Sequence, residues 1–315
     1  MWCSLVTGRA DAQHHVITNA LTVDVEDYFQ VSAFRDQISP KDWPAFESRV
    51  VANTHRVLDI FDTAGVCATF FVLGWIAERH PQLVREIAQR GHEIGCHGYS
   101  HQLIYGQSQQ VFREETRRAK SLLESQAQTP VHGYRAASFS ITDASRWALD
   151  VLAECGFEYD SSMYPVRHDL YGTAVQAAGP HQIVAPGGKT LIEFPMTVRS
   201  ILGITVPVSG GGYFRLYPYR LSAYLLGLVN DDAEPFVFYM HPWEVDPDQP
   251  RIRTSLKSRL RHYINLDSCA DKLRALVRDF RFTSMAQVLA DYPVTLLSPA
   301  PIAPALRSTA RRSPR

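Results

Sequence analysis

The stretch FESRVVANTHRVLDIFDTAGVCATFFVLG, residues 46–74, places a helical pattern directly before a strand pattern. Its first part repeats mostly apolar side chains at the spacing of a helix, at Val50, Val51, Thr54, Val57, Leu58 and Phe61. Gly65 follows as a predicted C-terminal cap. The β-rich run CATFFVLG comes next, so this stretch predicts one helix–strand unit of an α/β protein.

The same alternation continues on both sides of this stretch. NALTVDV and HEIGCHG read as strands, and IAERHPQLVREIAQRG reads as a helix interrupted at Pro81. Further along, VHGYRAASFS, FEYDSS, TLIEFPMTV and FVFYMHPWE are strand candidates, and the Gly-rich SGGGYFRLYP is expected to form a tight loop. Alternating strands and helices predict a parallel sheet or barrel, with chemistry at the carboxyl ends of the strands.

The composition excludes several classes of protein. Lys and Arg together number 32, as do Asp and Glu, so net charge gives no support to a nucleic-acid or anionic-membrane partner. Five scattered cysteines without a CxxC pair argue against a disulfide framework or a cysteine zinc site. The sequence shows neither a signal-peptide pattern nor a membrane-spanning apolar run, so a cytoplasmic protein without an integral membrane segment is expected.

Ionisable residues collect at the ends of the predicted strands. The first strand ends in Asp24, Glu26 and Asp27, and the third ends in HGYSH, which contains His97 and His101. Two neutral imidazoles and a carboxylate form a common zinc site with positions open for water and substrate. The alternatives are a solvated acidic edge and two surface histidines. Arg135, Asp160 and His241 follow three other strands, and only CATFFVLG and TLIEFPMTV are expected to deliver no such group.

Taken together, these motifs resemble the polysaccharide deacetylase family, the NodB-homology carbohydrate esterases, over about residues 19–250. The resemblance implies a distorted (β/α) barrel over residues 20–297, between a flexible leader at 1–19 and a disordered tail at 298–315. It also implies these roles: catalytic base Asp24, metal ligands His97 and His101, base-bracing Arg135, acid-orienting Asp160, and catalytic acid His241.

The motifs DVEDYF, GGGYFRL and HPWEVDPDQPR are similar to those of a subgroup found near exosortase and exopolysaccharide loci, which carries a C-terminal extension, here from about residue 209. One departure from the family stands in the first motif, where Val25 follows Asp24 in place of the usual second aspartate, a metal ligand. Strand alternation favours Glu26 as the carboxylate ligand, since it shares a face with Asp24, and Asp27 stays open if the strand has already turned.

The resemblance implies a metal-dependent hydrolase, most simply with Zn²⁺, that removes N-acetyl groups from amino sugars of an exopolysaccharide or a lipid-linked precursor. Tyr134 and Trp243 are predicted to line the substrate cleft, and a backbone N–H near Ser138 is predicted to stabilise the oxyanion. Two alternative functions are hydrolysis of another C–N bond, such as a cyclic amide, and carbohydrate binding without catalysis.

Overall fold

A computed structural model describes residues 17–166, 172–173 and 178–296. The predicted tail at 298–315 and the first 16 residues of the predicted leader lie outside the described residues. The first strand begins at Thr18, so it already includes the last two residues assigned to the leader.

The strands are β1 (Thr18–Val25), β2 (Thr69–Val72), β3 (Glu93–Cys96), β4 (Gly133–Tyr134), β5 (Tyr159–Asp160), β6 (His181–Val184), β7 (Thr190–Glu193), β8 (Val198–Ile201), β9 (Ile204–Pro207), β10 (Val237–Met240), β11 (Arg281–Thr283) and β12 (Thr295–Leu296). The helices are α1 (Val50–Ala64), α2 (Gly74–Arg79), α3 (Pro81–Gln89), α4 (Gln109–Ala127), α5 (Ala148–Glu154), α6 (Gly211–Leu216), α7 (Tyr219–Asp231), α8 (Leu256–Tyr263), α9 (Cys269–Asp279) and α10 (Met285–Asp291).

The main sheet has the strand order β10-β1-β2-β3-β4-β5-β7-β6-β12, and β11 pairs with the start of β1. Its ladders are parallel except for the antiparallel β6–β7 pair. Parallel pairing with intervening helices confirms the predicted α/β class. Because the strands run the same way, the carboxyl ends of β1, β3, β5 and β10 lie at one edge of the sheet.

Local sequence signals explain the predicted elements that the structure confirms. Gly65 ends α1 with a left-handed φ of 65°, as a C-terminal glycine cap does. Pro81 separates α2 from α3, since proline is accepted at the start of a helix but not inside it. Among the described residues, no helix combines the length and the hydropathy that crossing a bilayer requires.

The sheet separates two apolar clusters, and β1 contributes to both. Leu21, Val23 and Val25 belong to the large cluster that includes helix side chains, whereas Ala20 belongs to a second cluster on the other face. The second cluster contains aromatic rings from several strands and loops: Phe71, Phe139, Tyr159, Tyr164, Phe194 and Tyr239. Strand alternation therefore places Asp24 on the face of Ala20, above this inner cluster.

The Gly-rich segment departs from the expected loop. Gly210 forms an isolated parallel bridge with Tyr239, and α6 begins immediately afterwards. A Cβ atom at Gly210 would stand 2.0 Å from the Tyr239 carbonyl oxygen, and its φ is 129°, so glycine is required at this position. The segment therefore fixes α6 against β10.

Candidate metal centre and active site

Glu26, His97 and His101 form a cluster at the carboxyl edge of the sheet. One ligand atom from each lies within 4.8 Å of the others. Glu26 follows β1, and both histidines follow β3. Gly98, with φ 75°, and His101, with φ 51°, take left-handed backbone conformations, which curl the HGYSH loop back so that its two imidazoles converge.

The protonation of this cluster suits a divalent cation. His97 Nδ1 lies 2.8 Å from the Arg135 carbonyl oxygen, and a carbonyl only accepts, so Nδ1 carries the proton and Nε2 is free to ligate. Burial lowers the pKa of His97 to about 4, which keeps the ring neutral. Burial alone would raise the pKa of Glu26, but the imidazoles of His101, His241 and His97 outweigh it and lower that pKa to about 2.

One carboxylate oxygen of Glu26 points to the same conclusion. Oε2 is buried and accepts no well-aligned hydrogen bond from the described part of the chain, although His101 Nε2 lies 2.8 Å away. A buried, unprotonated carboxylate oxygen beside two imidazoles is the donor set of a His₂–carboxylate metal site. The residues present therefore fit the divalent cation that the sequence predicts.

Asp27 lies away from this cluster because it caps α1. Its Oδ2 accepts hydrogen bonds from Ser48 Oγ at 2.7 Å, from the Arg49 N–H at 2.9 Å and from the Val50 N–H at 3.2 Å. Its Oδ1 accepts from the Tyr28 N–H at 3.1 Å. The geometry thus separates the two candidate ligands: Glu26 meets the histidines, and Asp27 satisfies the first turn of a helix.

Asp24 and Arg135 form a buried ion pair beside the metal cluster. Arg135 Nη1 donates to Asp24 Oδ1 at 2.8 Å and to Thr22 Oγ1 at 2.7 Å. The same guanidinium donates from Nε to the Ser161 carbonyl oxygen and from Nη2 to Ser161 Oγ, and it lies 4.3 Å from the ring centre of Phe71. These contacts fix Arg135, which in turn fixes the carboxylate of Asp24, the base that the family resemblance implies.

His241 stands on the other side of Glu26. Its Nε2 lies 3.5 Å from Glu26 Oε1, and its Nδ1 donates to Glu244 Oε1 at 2.9 Å. Burial would lower the pKa of His241, but the hydrogen bond to Glu244 and the charges of Glu26 and Asp24 outweigh it and raise the pKa to about 9. The side chain keeps 18% of its surface exposed, so it has access to solvent.

The structure does not place Asp160 against His241, contrary to the prediction. Asp160 Oδ1 accepts from Ser162 Oγ at 2.5 Å, and β5 pairs in register with β7 so that Asp160 lies beside Glu193. Burial raises the pKa of Asp160 to about 6 and that of Glu193 well above its usual value, so the pair shares a proton. TLIEFPMTV therefore does deliver an ionisable group, Glu193, which the sequence analysis missed.

The three predicted substrate residues have different surroundings. Tyr134 is 1% exposed and packs edge-on against Phe112 and Phe157, and it also lines a small cavity together with His97 and His101. Trp243 is also buried, and its Nε1 donates to Glu26 Oε1 at 3.3 Å. Ser138 is partly exposed, with a left-handed φ of 50°, and its Oγ lies 2.5 Å from Ser32 Oγ.

Two family profiles match consecutive parts of the chain. Residues 42–159 match "Polysaccharide deacetylase", and residues 161–290 match "Domain of unknown function (DUF3473)". A peptidoglycan-N-acetylglucosamine deacetylase of Bacillus cereus is 37% identical over 70 residues, which are 22% of this chain and 26% of the relative. The chain covers between 16% and 37% of the length of the first curated relatives.

Solved structures share the fold at low sequence identity. A protein of Mycobacterium smegmatis described as a polysaccharide deacetylase superposes with a TM-score of 0.56 at 21% identity, covering 90% of this chain and 94% of that one. The Puue allantoinase superposes with a TM-score of 0.56 at 15% identity, covering 87% and 89%. These likenesses confirm the predicted architecture.

Proposed function

We propose that this chain, of which residues 42–159 match the polysaccharide deacetylase profile, hydrolyses N-acetyl groups on the amino sugars of a glycan. The observation that carries this proposal is the cluster of Glu26, His97 and His101, with Asp24 and His241 close by. An amide hydrolase needs a base for water and an acid for the leaving amine, and this site offers one of each.

A divalent cation, which we propose to be Zn²⁺, would be held by Glu26, His97 and His101, and it supplies Lewis acidity toward an amide carbonyl and a water molecule. Asp24 takes the proton of the attacking water, and Arg135 holds the carboxylate in position for that transfer. His241 Nε2 donates a proton to the sugar nitrogen as the C–N bond breaks. The products are acetate and a free amine.

A backbone N–H near Ser138 would stabilise the oxyanion of the tetrahedral intermediate. This turn, Ala137–Phe139, begins two residues after Arg135, whose guanidinium pairs with Asp24. Phe139 and Ser140 donate their N–H groups to carbonyls within the turn, to those of Ala136 and Ala137. That leaves the earlier N–H groups of the turn as the candidates.

The natural substrate is proposed to be an exopolysaccharide or its lipid-linked precursor, which the chain meets in the cytoplasm or at the membrane through the substrate itself. Support comes from the motifs DVEDYF, GGGYFRL and HPWEVDPDQPR, of which the last two lie within the region that matches DUF3473. The test is a panel of N-acetylated glycans that includes exopolysaccharides, with acetate release as the readout.

The decisive experiment combines metal content with acetate release from N-acetylglucosamine oligomers. We expect about one zinc per chain, loss of that zinc in His97→Ala, and full retention in the control His55→Ala, whose side chain lies on exposed α1 surface. Asp24→Asn should keep the zinc and stop acetate release. A zinc-free and inactive wild-type chain would refute the proposal, and activity confined to a small cyclic amide would replace it with the alternative hydrolase.

A further inference from the structure

Glu244 is a fully buried carboxylate that the sequence analysis did not single out. It lies in the 3₁₀ turn Pro242–Val245 directly after β10, three residues beyond His241. The turn is closed by a hydrogen bond from the Glu244 N–H to the His241 carbonyl oxygen at 3.0 Å. This geometry brings Oε1 of Glu244 to within 2.9 Å of His241 Nδ1.

The other oxygen of Glu244 faces an arginine from the Gly-rich segment. Arg215 Nε lies 3.7 Å from Glu244 Oε2, and neither atom has a hydrogen bond within the described residues. Arg215 is 2% exposed and donates from Nη1 and Nη2 to backbone carbonyls of Arg261, His262 and Ile264. A buried carboxylate is costly without a counter-charge, and Arg215 provides it in a fixed position.

Aromatic rings confine His241 on its flat face. Trp243 stacks on His241, with 5.0 Å between ring centres and 20° between planes. His262 of α8 stacks on the other face of Trp243 at 4.1 Å and 19°. The imidazole of His241 is therefore held by a ring stack on its face and by Glu244 at its Nδ1 edge, which leaves Nε2 toward Glu26.

We propose that Glu244, braced by Arg215, is the positioning residue that holds His241 in the Nδ1–H tautomer with Nε2 directed at the substrate. The inference rests on the proposed function, in which His241 is the proton donor. When Nε2 gives its proton to the leaving nitrogen, His241 becomes the neutral Nδ1–H form, and the hydrogen bond to Glu244 favours that form. The region that matches DUF3473 thus supplies both the proton donor His241 and its partner Glu244, whereas Asp160 accepts a hydrogen bond from Ser162.

The isosteric variant Glu244→Gln tests this directly. In this variant the Arg215 donor orients the side-chain amide, with its oxygen toward Arg215 and its NH₂ toward His241 Nδ1. Nδ1 must then accept a hydrogen bond, so the ring proton moves to Nε2. We expect ¹⁵N NMR of the histidine-labelled full chain, recorded at a pH high enough for His241 to be neutral and with the His241 signals identified from His241→Gln, to show the single ring proton on Nδ1 in wild type and on Nε2 in Glu244→Gln. We expect kcat for acetate release to fall by about 100-fold, at the lower end of what general acid catalysis supplies, with KM and zinc content unchanged.

Asp160→Asn is the matched control, because it also replaces one buried carboxylate by its amide. It should leave both the His241 tautomer and kcat close to wild type. An unchanged Nδ1–H signal in Glu244→Gln, or a larger loss of kcat in Asp160→Asn than in Glu244→Gln, would overturn the proposal. If wild type releases no acetate, the proposed function fails, whereas the NMR measurement still decides whether Glu244 sets the tautomer.

Discussion

Replacing Asp27 and Glu26 one at a time should show that these adjacent residues have different roles, Asp27 in stabilising the fold and Glu26 in binding the metal. Asp27 accepts four hydrogen bonds, of which two come from the first N–H groups around the start of α1. Loss of a capping side chain costs about 0.5–2 kcal/mol, and leaving a buried donor unpaired costs about 1–3 kcal/mol. Asp27→Ala should therefore lower the free energy of unfolding by about 3 kcal/mol.

Glu26→Gln should behave in the opposite way. Its amide keeps the size of the side chain, so the metal-free fold should persist. Zinc affinity should fall by more than about 100-fold, because changes to residues that only hydrogen-bond to a metal ligand already cost about 10–100-fold. Added zinc should raise the Tm of wild type and of the milder Asp27→Asn, which keeps an acceptor oxygen, but not that of Glu26→Gln.

Two measurements decide between these assignments. Urea unfolding in the presence of a chelator gives the stability of each metal-free variant, and elemental analysis after dialysis gives zinc per chain. Zinc retained by Glu26→Gln, or zinc lost from Asp27→Ala with an unfolding midpoint at the wild-type value, would refute these two assignments.

Two further predictions concern the fold. Glu193 beside Asp160 holds a proton more tightly in the folded chain than in the unfolded one, so the pair makes wild type lose stability as pH rises above the ordinary pKa of 4.5. Glu193→Gln should remove that loss. Chemical unfolding at pH 4.5 and pH 8 should show that the unfolding free energy of the variant rises relative to that of wild type at the higher pH. The same difference in unfolding free energy at both pH values would contradict the shared proton. A Cβ at Gly133 would stand 2.1 Å from the Tyr159 ring, so Gly133→Ala should cost about 1–3 kcal/mol in urea unfolding. Gly227 lies on α7 with no atom near the position of a Cβ, so Gly227→Ala should be neutral or stabilising by about 0.5–1 kcal/mol. Similar losses of unfolding free energy in Gly133→Ala and Gly227→Ala would contradict the steric explanation.

The sequence was sufficient for features that depend on neighbouring residues or on the rules of parallel sheets. Gly65 and Pro81 mark helix ends through backbone conformations that need no tertiary contact. Strand alternation placed Asp24 on the inner face, and the common edge of parallel strands brought His97 and His101 toward Glu26. Elements that the sequence did not predict, such as the hairpin of β8 and β9, have few buried apolar side chains and therefore no clear strand pattern.

Only the tertiary structure decided which carboxylate does what. Asp27 is a helix cap because Ser48 and Arg49, more than 20 residues away, deliver their donors to it. Likewise, Asp160 and Glu244 both stand near the end of a strand. β10 is the neighbour of β1, whereas β5 lies four strands beyond β1 on its other side. The sheet order therefore leaves His241 to pair with Glu244, the carboxylate of its own turn. The sequence shows which ionisable residues lie at the carboxyl edge of the sheet. Which of them interact depends on distances between residues that are far apart in the chain, and only the folded structure sets those distances.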